Sequence, residues 1–184
     1  MRRGFKAQAE KTSTSVRSEM GLSPAEPIRA IAIAEHLGVK VYPADELIAR
    51  ARLEELQTLQ YNAFSGATFR LPSGGTVVVY NPLNEPGRTN SDIAHELSHI
   101  ILDHPAKTVE RVGGHNFFTC DAEEEQEANW LAGCLLLPRP LLVKEARAGA
   151  TVKDLTERHE VSEQMATWRL NASGVLAQLR RAGG

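Results

Sequence analysis

The pentapeptide His95-Glu96-Leu97-Ser98-His99 constrains this chain more than any other segment. Two imidazoles four residues apart share a face only if the backbone between them is α-helical. Ala94, Leu97, Ile100 and Ile101 form an apolar stripe beside that face, so the helix is amphipathic and half buried rather than a solvated surface helix carrying two ordinary histidines. Thr89-Asn90-Ser91-Asp92 reads as its start, with Thr89 and Asp92 spaced as a capping box, and Pro105 ends it beyond Leu102. On such a helix His95 and His99 can hold one divalent ion. Glu96 follows the first ligand directly, beside the ion but off the ligand axis, where its carboxylate can take a proton from an attacking water.

A catalytic zinc takes three protein ligands and keeps a position open. The acidic run Glu123-Glu124-Glu125-Gln126-Glu127 opens a second helix that begins at Asp121, and most of these carboxylates suit a solvated helix N-terminus. Helical phase sets Ala128, Leu131, Ala132 and Leu135 on the core stripe, in line with Glu124, and sets Glu125 and Asn129 on its flank. Glu125 is therefore the expected third ligand, with Asn129 orienting a ligand histidine, and Glu127 is the alternative. Donors for a tetrahedral oxyanion are not singled out: Tyr61, Tyr80, Arg88, His104, His115 and His159 all stand as candidates. His104 and Asp103 read most simply as helix-end capping residues.

The remaining chain restricts the function classes. With 184 residues and 42% hydrophobic content it can bury a core. A net charge of -2 offers no basic face for nucleic acid. The longest apolar run, Leu135-Leu136-Leu137, ends at Pro138, too short to cross a bilayer, and no apolar stretch follows Met1-Arg2-Arg3, so neither a signal peptide nor a membrane anchor is expected. Cys120 and Cys134 lack metal-type spacing, and a reducing cytoplasm fits them.

Helices are expected over 5–20, from Pro27 to a cap at Gly38, over 45–59 and across most of the chain beyond Thr89, with a loop at Gly113-Gly114. Strands are expected over 39–42, 63–71 and 76–81, the last two as an antiparallel hairpin through Pro72-Ser73-Gly74-Gly75. The strand from Thr76 to Asn81 is a candidate edge for pairing with a substrate chain. The fold class is α+β: a small antiparallel sheet packed on the site helices, followed by C-terminal helices. Two regions are expected, 1–140 carrying the site and 141–184 packed on it. Within the second, Lys153 to Leu170 has a helix-turn-helix cadence with Val161-Ser162 as turn and cap. Its second helix carries one arginine and opens on a glutamate, a poor match to phosphates, so it reads as a packing or docking element.

The segment from Gly87 to His99, together with Glu125-Gln126-Glu127-Ala128-Asn129-Trp130-Leu131-Ala132 and Leu135-Leu136-Leu137-Pro138, resembles the ImmA/IrrE metallopeptidase family. Ser65-Gly66, Val77-Val78-Val79-Tyr80-Asn81 and Leu37-Gly38-Val39 fit the same pattern, so the resemblance runs from about Ala25 to Gly174. Ser98 stands where glycine is common, and Trp130-Leu131-Ala132 stands where an aromatic–alanine pair is usual one residue later; neither touches a proposed ligand. The resemblance implies a zincin-like (gluzincin) core with zinc on His95, His99 and Glu125 and Glu96 as catalytic base; a two-histidine, one-carboxylate donor set also accepts manganese in the cell. It also implies an intracellular endopeptidase whose substrate is a helix-turn-helix transcriptional repressor in mobile-element or stress-response circuits. A metal-binding regulatory module without catalysis is the rival reading.

Overall fold

A computed structural model describes residues 1–60, 64–71, 74–105, 109–112, 115–118 and 121–182, with side chains outside 109–112 and 115–118. The elements in chain order are α1 (Phe5–Glu19), α2 (Ala30–His36), β1 (Lys40–Pro43), a short 3-10 turn (Ala44–Glu46), α3 (Arg50–Leu59), β2 (Gly66–Arg70) and β3 (Thr76–Tyr80). They continue with α4 (Pro86–Ile101), β4 (Val109–Val112), β5 (His115–Phe118), α5 (Ala122–Leu136), α6 (Arg139–Arg147), α7 (Val152–His159), α8 (Glu163–Ala172) and α9 (Val175–Ala182). The α+β class is as expected.

The sheet differs from the expected one. The β2–β3 hairpin is antiparallel, with Thr68 opposite Val78, but β1 joins β3 in parallel, Val41 opposite Val78, so the sheet is mixed, in the order β1-β3-β2. Helix α3 joins the end of β1 to the start of β2 at the same end of the sheet, both opposite Tyr80, and β2 runs the chain back to the other end, from which β3 sets out parallel to β1. The strand Thr76–Tyr80 is therefore central and offers no edge; β2 is the edge strand beside α4. Between Pro105 and Asp121, read as loop, β4 and β5 form a two-stranded antiparallel ribbon; Gly113 and Gly114 lie outside the described residues.

Helix α4 also begins earlier than expected. Its first residue is Pro86, after Glu85, with no side-chain cap. Proline suits a first helical position because its missing N–H has no partner there anyway. Two of the four residues read as its start, Asn90 and Ser91, instead tie other elements to α4. Asn90 accepts from the backbone N–H of Ala30 at 2.8 Å and donates to the Glu160 carbonyl at 2.8 Å. Ser91 donates to the Gly87 carbonyl and accepts from the Ser162 N–H, both at 2.9 Å. Asp121 does cap α5, accepting from the Glu123 and Glu124 N–H groups.

Helix α5 runs through the middle of the molecule. Leu131, Ala132, Leu135 and Leu137 are fully buried, in one apolar cluster with Phe5 of α1, Ile33 of α2, Leu97 of α4, Leu155 of α7 and Val175 of α9. Pro138 stops α5, leaving its last carbonyls without helical partners. Buried side chains from α1 and α8 supply them. Ser13 donates to the Cys134 carbonyl at 2.6 Å, Arg17 to Leu135 at 2.5 Å, and Arg169 to Leu137 at 2.9 Å while also pairing with Glu10 at 2.7 Å. Burial pushes the Arg17 pKa down to about 10, still charged at neutral pH. Arg169 is the arginine of the second helix of the helix-turn-helix cadence; buried inside the protein, it is withdrawn from any phosphate. Among the described residues no helix is long and apolar enough to cross a membrane.

Candidate metal centre

Helices α4 and α5 pack against each other, which brings the HExxH face of the first onto the first turns of the second. The Nε2 atoms of His95 and His99 lie 3.1 Å apart. The Glu125 carboxylate closes the triangle, with Oε2 at 3.2 Å from His95 Nε2 and Oε1 at 3.6 Å from His99 Nε2. These three side chains form the metal-competent His/Cys/Asp/Glu group among the described residues, all half-buried. Ligand atoms at zinc-like bond lengths in a tetrahedron stand about 3.3 Å from one another. The observed separations bracket that value, and two imidazoles with one carboxylate are a zinc-type donor set, so the residues present fit a divalent ion.

Glu127, the alternative, is taken elsewhere. It is 2% exposed and receives Arg2 in a fork, with Nη2 at 2.6 Å and Nε at 2.9 Å, plus the Arg2 backbone N–H at 2.9 Å. Arg2 holds its carboxyl below the usual carboxylate range, partly offset by burial. Asn129 lines the cleft beside the triad, but among the described residues it makes no hydrogen bond to either histidine, so the orienting role expected of it is not seen. The group beside a ligand histidine is instead His104, whose Nδ1 lies 2.9 Å from His99 Nδ1. Its backbone does cap, as expected: the His104 N–H donates to the His99 carbonyl at 3.0 Å.

Glu96 is 5% exposed and faces the edge strand, where Thr68 Oγ1 donates to its Oε2 at 2.7 Å. A side chain at Gly66 would sit 3.2 Å from Glu96 Cγ, so the glycine there keeps room for the carboxylate. Thr68 and Arg2 escaped the sequence reading: nothing in a strand or N-terminal pattern marks which distant side chain a threonine or arginine will meet. Ser98 is fully buried with its hydroxyl on the Ala94 carbonyl, which explains how it replaces glycine without disturbing the helix.

A cleft of about 710 Å³ opens over this group. Gly66, His95, Glu96 and Glu125 line one side, and Met165 and Trp168 of α8 the other. Of the oxyanion candidates, Tyr61 and the side chain of His115 lie outside the described residues. The other four do not line the cleft. Tyr80 packs on the main core, Arg88 donates to Ser65 at 3.1 Å and pairs with Asp92, His104 backs His99, and His159 sits 3.3 Å from Glu145 on the far side of α7.

A family model described as an IrrE N-terminal-like domain, of the peptidase family M78, matches residues 34–171, most of the chain, including both helices that carry His95, His99 and Glu125. Comparison with curated proteins finds no match.

Proposed function

We propose that this chain, which belongs to the IrrE N-terminal-like domain family of peptidases, is a zinc-dependent endopeptidase with a zincin-like core and Glu96 as its general base. The observation that carries this reading is the convergence of His95, His99 and Glu125 within 4.8 Å, with His95, Glu125 and Glu96 lining one cleft. A divalent ion bound there supplies Lewis-acid activation, lowering the pKa of a water towards about 7 and polarising the scissile carbonyl.

The protein's own groups account for the rest. Thr68 fixes one carboxylate oxygen of Glu96, which leaves the other to take the proton of the attacking water and pass it to the leaving nitrogen. Edge strand β2 offers the substrate a backbone to pair with. Asn81 donates to the Ser65 carbonyl and Leu71 to the Gly75 carbonyl, so Ser65, Ala67, Phe69 and Leu71 bond inward to β3. By alternation, Gly66, Thr68 and Arg70 turn their backbone groups outward, beside Glu96. The same donor set also accepts manganese.

The substrate in this reading is a helix-turn-helix repressor met in the cytoplasm, on the strength of the family resemblance. The inward-facing Arg169 and cleft-lining Met165 and Trp168 support a role for α8 as a cleft wall rather than a DNA reader. The test is incubation of zinc-loaded protein with purified helix-turn-helix repressors from its own genome, followed by mass spectrometry. Wild type cuts one of them at a defined bond, and Glu96→Gln slows the cut by about a hundredfold or more while keeping its metal. No cut by either would favour the non-catalytic metal-binding module, and equal cutting by Glu96→Gln would remove Glu96 as the base.

A further inference from the structure

We infer that His104 is a positioning residue of the metal centre, holding His99 in the tautomer that presents a bare Nε2 to the ion; this rests on the reading of His95, His99 and Glu125 as a metal site. The backbone builds the contact. Helix α4 ends in a doubly bonded reversal in which Asp103 N–H reaches the Ile100 carbonyl at 3.1 Å and His104 N–H reaches the His99 carbonyl at 3.0 Å. Asp103 adopts the left-handed conformation this turn demands, with φ of 51°. The reversal returns His104 over the last turn of the helix, where its ring meets that of His99 edge to face at 5.0 Å between centroids.

The proton placement then follows. A histidine that binds metal through Nε2 carries its proton on Nδ1 and donates it to an outer partner. The atom facing His99 Nδ1, at 2.9 Å, is His104 Nδ1, which must therefore be bare and accept. The His104 proton sits on Nε2, and that nitrogen faces the Glu127 carboxylate at 3.9 Å, too far for a hydrogen bond but near enough to favour an N–H over a lone pair there. Glu127 is held in place by Arg2, and the His104 side chain is 7% exposed, so water does not compete for its nitrogens. His95 has no such support: its Nδ1 is buried without a partner among the described residues. The two ligand histidines are thus unequally held, and His99 is the one whose orientation the surrounding protein fixes.

The test is zinc affinity by competition with a chromogenic chelator for wild type, His104→Leu and His104→Asn. Asparagine keeps a side-chain oxygen near the position of Nδ1, and leucine removes the acceptor. His104→Leu should weaken zinc binding by about 10- to 100-fold, and His104→Asn should recover most of that loss. In spectra of zinc-loaded protein labelled with ¹⁵N-histidine, the hydrogen-bonded His99 Nδ1–H signal persists in wild type and His104→Asn and shifts in His104→Leu. His104→Ala repeats the acceptor loss with less bulk, so misfolding of the leucine variant leaves the comparison intact. Wild-type affinity in folded His104→Leu or His104→Ala, or no recovery in folded His104→Asn, overturns this inference alone. A wild type that takes up no zinc overturns the metal site itself and this inference with it.

Discussion

Thr68 Oγ1 donates to Glu96 Oε2 at 2.7 Å, so the proposed base is anchored to the strand along which a substrate is proposed to lie. Removing the hydroxyl frees the carboxylate to rotate and takes away a bond to a charged group, roughly 1.5–3 kcal/mol. Thr68→Val should therefore lower kcat by about tenfold to a hundredfold. Bound zinc and the melting temperature should stay close to wild type, because neither the ligands nor the core is touched. Steady-state kinetics with parallel metal analysis reads both.

Gly66 tests the same anchor from the other side. An alanine methyl there would lie 3.2 Å from Glu96 Cγ and 3.4 Å from the Val79 carbonyl oxygen, so the side chain must give by a few tenths of an ångström. Displacement on that scale is expected to cost about tenfold in kcat/KM. Unchanged kcat/KM in a folded Gly66→Ala would show that the Glu96 position is less tightly set than the contacts suggest.

Helix α8 is held to α5 through a glycine. A methyl on Gly133 would fall 2.4 Å from Arg169 Cδ and 2.6 Å from a Trp168 ring carbon, the second of which also lines the cleft. Gly133→Ala should destabilise the fold by about 1–3 kcal/mol, read by urea denaturation. A neutral result would mean that α8 repacks freely and is a poor wall for a specificity pocket.

Burial lowers the pKa of His159 below its ordinary 6.5, with Glu145 pulling it up and Arg158 and Lys144 adding to the lowering. The unfolded chain thus takes up this proton first as pH falls. The stability contributed by the neutral ring is complete above the ordinary value and is lost as pH falls from there through the lower folded value. His159→Gln should show a smaller loss of urea midpoint than wild type between about pH 7.5 and pH 5. Equal losses would remove His159 from the acid response.

The candidate metal centre was legible in the sequence because its residues sit on two strongly patterned helices. Spacing placed His95 and His99 on one face, and the phase of Ala128 and Leu131 favoured Glu125 over Glu127; His95, His99 and Glu125 lie together in the structure. What sequence did not disclose depends on contacts between distant segments. The parallel pairing of β1 is set by a crossover, and the start of α4 at Pro86 was hidden because Asn90 and Ser91, good capping residues, serve inter-helix bonds instead. The burial of Glu127 follows from Arg2, 125 positions away. The reach of His104 to His99 depends on a left-handed Asp103 that no pattern at a helix end specifies.

The most direct test of the account is metal content. Purified wild type, His95→Ala, Glu125→Ala and Glu96→Gln are incubated with excess zinc, freed of loosely held ion and analysed for zinc per chain. The account predicts about one zinc in wild type and Glu96→Gln, and loss in His95→Ala and Glu125→Ala. No retained zinc in wild type, or full retention in Glu125→Ala, would contradict it.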